Sequence, residues 1–254
     1  MHKENEIIKH DSWAVLKKHT AARIALGKTG VSIPTKPNLA FKLAHALARD
    51  AVYNLLDKNE LHHNLDLLHL PFLFLQSCAI DKKQYLQRPD FGRKLNQQSI
   101  DIINKEDSKI EHDICISMAD GLSADAINKH AIPLINLLIP MLKEKKYSIA
   151  PICVIEQGRV AISDETGFLF NSKLSIILIG ERPGLSATDS LGVYITYNPT
   201  VGNNDALRNC ISNIRPEGLV YEIAAKKIAT LINEAMRLKM TGVGLKEHDN
   251  FLTN

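Results

Sequence analysis

Four cysteines, Cys78, Cys115, Cys153 and Cys210, are all that this chain of 254 residues carries, and no two stand close enough to form a C-x-x-C pair. That spacing disfavours a structural zinc site and a disulfide framework, and free thiols in a reducing compartment are the expectation. The ten histidines make no H-E-x-x-H motif and no dense cluster; the pair at His62 and His63 fits a solvent-facing helix surface better than a metal centre, so no metal ligand is expected. Charge of one sign is missing too. Lys and Arg number 31 against 28 Asp and Glu, a net +3, and the basic residues are spread out rather than gathered on one stretch as nucleic-acid surfaces require. No apolar run approaches the ~18 residues of a membrane span. The opening "MHKENEIIKHDSW" has neither the apolar core of a signal peptide nor the Arg-rich, acid-poor character of a transit peptide. A cytoplasmic protein with neither nucleic acid nor membrane as partner is expected.

What is present is enough hydrophobic material, 45% of residues, to build a sizeable core. In residues 36–56, Leu39, Leu43, Leu47, Ala51 and Leu55 recur at four-residue steps, the stripe of a helix. Pro37 sits near its start, where a missing N–H costs nothing, with Thr35 or Asn38 as candidate cap. A shorter helix is expected over 11–19, capped by Asp11 or Ser12, while 60–100 reads only as short helices and turns.

From about residue 109 short apolar runs alternate with glycine-bearing turns and helical stretches. Expected in order are a strand over 112–117, a turn at Asp120 and Gly121, and a helix capped by Ser123 that Pro133 and Pro140 kink or divide. Two strands around Gln157 and Gly158 in "SIAPICVIEQGRVAI" follow, then strands in "KLSIILIG" and "LGVYITY" and an amphipathic helix over 219–239. Unbroken apolar strands between helices predict an α/β fold: a helical N-terminal part over 1–108, then a Rossmann-like domain over 109–254 with a mostly parallel sheet. There is no internal repeat and no low-complexity tract.

Two glycine motifs fail on inspection. "ALGKTG" lacks the first glycine of a Walker loop, because position 22 is Ala22, and "GVGLKE" lacks the third glycine of a dinucleotide fingerprint. No G-x-S-x-G elbow is present, and Asp120 and Asp125 of "DGLSAD" fit helix capping better than acid–base work. No catalytic residue is assigned.

"SIILIGERPGLS" is harder to dismiss. In an open α/β sheet ligands sit beyond the carboxyl ends of the strands, and Glu181 follows the apolar run at such an end. Pro183 fixes one torsion while Gly180 and Gly184 permit sharp bends, so the loop presents Glu181 with little freedom to lose on binding. The alternative is a structural ion pair of Glu181 with Arg182 or Arg215. "RNCISNIRPEG" is a second candidate, its density of amides and guanidinia suiting a large polar ligand, although Cys210 can equally be a small buried hydrophobe.

Taken in order and spacing, "RIALGKTGVSIPT" with "LAFKLAHALARDAV", "DGLSADAIN", "GRV", "IGERPGLSATDSLGVYITY" and "RNCISNIRPEGL" resemble the small (light) subunits of ethanolamine ammonia-lyases. The resemblance runs from about residue 20 to 245 and is weakest over 57–110. It implies a subunit, inactive alone, of an adenosylcobalamin-dependent enzyme that converts ethanolamine to acetaldehyde and ammonia by radical chemistry. It also implies a large subunit built on a TIM barrel, with the small subunit covering the cobalamin from the other side. Matched by motif, Val160 of "GRV", Glu181 of "GERPG" and Cys210 of "NCISNI" fall on cofactor-contacting positions, with Arg159 and Asn213 flanking them. Lys28 stands where an Arg is common, and one residue fewer separates Glu181 from Cys210 than in some members. No Asp stands two residues before any His, so the D-x-H-x-x-G signature of a protein imidazole on cobalt is missing. Residence in a bacterial microcompartment is implied as well, with the N-terminal tail as its candidate address. A rival reading, a non-catalytic α/β binding or assembly module, would need a phosphate loop or an independent partner surface.

Overall fold

The runs "ICISM" and "SIILIG" are largely apolar on both alternating sets of positions, as suits strands covered on both faces. In a computed structural model, which describes residues 11–106 and 110–245, they lie side by side at the centre of one sheet. Its strands are β1 (Phe72–Gln76), β2 (His112–Ala119), β3 (Ile152–Glu156), β4 (Ser172–Gly180), β5 (Leu191–Tyr197) and β6 (Arg208–Ile214), ordered β1-β3-β2-β4-β5-β6. The first four run parallel, in register pairs such as Phe74 with Val154 and Ile116 with Ile176. β5 turns back antiparallel to β4, and β6 antiparallel to β5.

The α/β class is as expected, but the sheet is mixed. Parallel neighbours need a crossover of a dozen or more residues, usually a helix. Residues 181–190 and 198–207 between the last three strands contain only turns and one short 3-10 segment, so those strands fold back on one another.

Helices cover both faces. Ile114, Ile116 and Met118 point to one side with Ile176 and Leu178, and meet α2 (Lys58–Leu67), α6 (Ile132–Glu144) and α8 (Tyr221–Leu238) through Leu65, Leu138 and Ile232. Cys115 and Ala119 point to the other with Ile177 and Ile179, against α4 (Gln97–Ile103) and α7 (Ile162–Leu169). This alternation is the period of two written into one strand.

Several local expectations need correction. The region read as short helices and turns contains β1, because "FLFLQ" pairs with β3. "RVAI" is no strand: after Gly158 the chain turns at once into α7. The proline-bearing helix is divided, as expected, into a single turn at Ala124–Ala126, a π-helical stretch at Ile127–Ala131 and α6, with Pro133 in its first turn and Pro140 inside. Ser123 does not cap it by side chain; its hydroxyl donates to the carbonyl of Thr188 at 2.8 Å.

At the N-terminal end Asp11 caps the 3-10 helix Ser12–His19, accepting from the amide of Trp13 at 2.9 Å. α1 (Thr35–Tyr53) follows, with no side-chain cap at Pro34. Of its expected stripe only Ala51 is buried, while Leu39, Leu43, Leu47 and the following Leu55 face solvent. The tail read as a candidate address lies outside the described residues, as do 107–109 and 246–254.

Candidate functional site

The carboxyl ends of β2, β3 and β4 converge, and side chains from four segments close over them. Asp120, just past β2, is buried: Oδ2 accepts from Lys82 Nζ at 3.0 Å and Oδ1 from the backbone amide of Gly158 at 3.3 Å. The same ammonium donates to the carbonyl of Gly121 at 3.0 Å. Burial pushes the Asp120 carboxyl above its ordinary range and the neighbouring ammonium of Lys82 opposes the shift. Asp120 therefore ties the ends of β2 and β3 to α3 (Lys82–Gln87) instead of capping a helix by its side chain, and Asp125 accepts from Asn54 at 2.9 Å. Gly121, at φ 54°, and Gly180 pass so closely that a side chain on either would strike the other loop's backbone.

Tyr85, from α3, is fully buried beneath this end of the sheet. Two cations stand over its ring, Lys82 Nζ at 4.9 Å from the centroid and the guanidinium carbon of Arg159 at 4.3 Å. Its hydroxyl donates to the carbonyl of Gly158 at 3.3 Å.

Glu181 is half-buried at the end of β4. Its amide donates to the carbonyl of Ser190 at 2.9 Å, and Oε2 accepts from the Ser190 hydroxyl at 2.5 Å and the Asn213 amide at 3.3 Å. The structural ion pair weighed from sequence is not formed. Arg215 turns to the Asn213 side chain and Glu217, and Arg182 makes no ion pair with Glu181. Beyond Glu181 the loop closes through the Gly184 amide on the Ala187 carbonyl at 2.7 Å.

Two adjoining cavities result. One, of about 260 Å³, is lined by Tyr85, Leu122, Arg159, Val160, Glu181 and Tyr194, among others. The other, of about 340 Å³, is lined by Arg93, Arg159, Val160, Ala161, Tyr194 and Asp205. Val160 and Glu181 thus share one wall. Cys210 lines neither, but stands opposite Tyr194 in the antiparallel pairing of β5 and β6 and is exposed, not a buried small hydrophobe. Desolvation pushes its thiol above the ordinary value, so it stays neutral.

The polar run around Cys210 is partly used up inside the fold. Arg208 makes a buried two-pronged pair with Asp164, both contacts at 2.7 Å, and the Asn209 amide donates to the carbonyls of Gly242 and Leu245. Conversely, Tyr85, Lys82 and Tyr194 were not singled out from sequence. No local motif marks them, and only the approach of α3 to the ends of β2 and β3 brings the first two to the site.

A model of the ethanolamine ammonia-lyase light chain (EutC) matches residues 10–246. The chain belongs to the ethanolamine ammonia-lyase light-chain family. It is 49% identical to the ethanolamine ammonia-lyase small subunit of Azotobacter vinelandii over 239 residues, 92% of this chain and 88% of the relative. It is equally similar, 49% over 244 residues, to that of Ralstonia nicotianae, with 94% and 90% covered. The small subunit of Pseudomonas fluorescens Pf0-1 is 48% identical over 237 residues, with 92% and 86% covered. As a light chain of this family it is one subunit of a lyase made of unlike chains. Among the described residues no helix is long and apolar enough to cross a membrane.

Proposed function

We propose that the chain is the small subunit of an adenosylcobalamin-dependent ethanolamine ammonia-lyase, inactive alone, and that it supplies one wall of a cobalamin site shared with a TIM-barrel large subunit. The observation that carries this reading is the meeting of Val160 and Glu181 on one cavity at the carboxyl ends of parallel strands, with Cys210 one residue pair away. That is where open α/β sheets bind ligands, and residues 109–254 are read as the Rossmann-like, cofactor-contacting domain on that ground.

The residues fit such a group. A corrin is an apolar ring edged with amides, and the cavities offer Val160, Leu122 and Ile179 for apolar contact and Glu181 as an acceptor for amide N–H groups. Oε1 of Glu181 has no hydrogen-bond partner among the described residues, which leaves it for an amide N–H. When bound, adenosylcobalamin supplies the radical through its cobalt–carbon bond, and this chain's share is to hold and orient the ring and keep out water. Support for partner contact by residues 1–108 comes from the exposed apolar side chains of α1 and from Trp13 and Val15 ahead of it. Cytoplasmic residence, in a microcompartment, is part of the same reading and rests on family resemblance.

The test is co-expression with the large subunit. The purified complex is expected to deaminate ethanolamine only with adenosylcobalamin, and the isolated chain not at all. Glu181→Ala should assemble normally yet bind cobalamin more weakly; unchanged affinity would refute the site, and turnover by the isolated chain would refute the function.

A further inference from the structure

Arg159 is the one guanidinium lining both cavities, and it is unusually placed. Nε is buried with no hydrogen-bond partner, and no carboxylate lies within ion-pair distance among the described residues. Among the described residues its one hydrogen-bond acceptor is neutral, the carbonyl of Tyr85, 3.1 Å from Nη2. Yet the side chain is firmly held. The ring of Tyr85 lies under the guanidinium, and Gly92 passes so close that a Cβ there would stand 2.6 Å from Cγ of Arg159. The Arg159 amide in turn donates to the carbonyl of Gly92 at 2.7 Å.

A fixed, half-buried positive charge without a counter-charge is costly unless something anionic completes it. The 340 Å³ cavity sharpens this point. Arg93 and Arg159 both face it, and its single carboxylate, Asp205, is already engaged by Arg208 at 3.2 Å. The cavity therefore carries surplus positive charge beside apolar Val160 and Ala161. Two guanidinia converging on a small hollow match the fork geometry of phosphate recognition.

We propose that Arg159, assisted by Arg93, binds a phosphodiester of the ligand, and that Tyr85, itself set by the buried Lys82–Asp120 pair, is the positioning residue that aims it. This rests on the cobalamin reading and extends it: the phosphodiester is the one carried on the cofactor's nucleotide arm. That arm enters the 340 Å³ cavity, while the ring edge meets Glu181 in the neighbouring one.

The experiment measures dissociation constants by absorbance titration on the complex with the large subunit, for intact cobalamin and for a corrinoid truncated before the phosphodiester. Arg159→Gln is expected to weaken intact cobalamin by about ten- to a hundredfold and to leave the truncated corrinoid unchanged. Retained binding of the truncated form also shows that the variant is folded. Arg159→Lys, which keeps charge but not the fork, should recover part of the loss. Equal loss for both corrinoids, or no loss for either, would overturn the phosphodiester assignment while leaving the cobalamin site standing. A wild-type complex that binds neither corrinoid would instead remove the cobalamin reading and this proposal with it.

Discussion

At the scale of single residues, the ion pair of Lys82 and Asp120 decides whether the site has a floor. Both groups are almost wholly covered, at 7% and 3% side-chain exposure, so each depends on the other. Replacing both by apolar groups is often tolerated, whereas removing one leaves an uncompensated buried charge, a loss of about 3–5 kcal/mol. Lys82→Met should therefore cost about that much in urea unfolding at neutral pH, and adding Asp120→Asn should return part of it. The pH dependence has a definite sign. Burial already raises the folded carboxyl above its ordinary 3.8, and without the ammonium it rises further. Protons then bind the folded chain in preference to the unfolded one, so Lys82→Met should regain stability as pH falls from neutrality toward that value. A variant that keeps losing stability on acidification through this window would show that the carboxylate is not the stressed group.

At the scale of elements, α1 is a helix whose larger apolar side chains, Leu39, Leu43 and Leu47, face solvent among the described residues. Leu43 and Leu47 stand one turn apart at 62% and 53% exposure, and the helix is moored chiefly at its end, where the Asn54 amide donates to Asp125 and the Leu55 carbonyl accepts from Asn128. Exposed substitutions of this kind usually shift stability by under about 0.5 kcal/mol. Leu43→Glu with Leu47→Glu is expected to leave the melting of the isolated chain unchanged and to abolish co-purification with the large subunit. Normal assembly would mean that the partner docks elsewhere. The period-four stripe made α1 legible in sequence, as the amphipathic pattern did α8, although the pattern alone did not say that the stripe faces outward. β2 and β4 were legible as consecutive apolar residues. β1 was not, since "LLHLPFLFLQS" reads equally as helix until a partner strand is known, and "RVAI" misled because four residues are too few to separate strand from helix. The site divides in the same way. Glu181 came forward from its place at the end of an apolar strand, and the trio Val160, Glu181 and Cys210 through family motifs, whereas Tyr85 and Lys82 are joined to it only by long-range packing that no local pattern encodes.

At the scale of the whole molecule, the sheet presents a ledge and not a pocket. Hollows of about 260 and 340 Å³ at the strand ends are each too small to enclose a corrinoid, since ligand sites commonly bury 70–90% or more of their ligand. The antiparallel return through β5 and β6 ends the sheet here: β6, which carries Cys210, is its last strand, and Tyr194 lies opposite it on β5. On the proposed function the remaining cover comes from the large subunit, and the gain can be bounded. Each further ~110 Å² of apolar ligand surface covered, at ~25 cal/mol per Å², is worth ~2.7 kcal/mol, about a hundredfold in affinity. Cobalamin is therefore expected to bind the isolated chain at least about a hundredfold more weakly than the assembled complex, when both are titrated by absorbance under the same conditions. The Glu181→Ala and Arg159→Gln losses should persist in the isolated chain, because both side chains are held by hydrogen bonds and packing within it. Equal affinity of chain and complex would mean that the ledge alone encloses the ligand, and the shared-site architecture would fall.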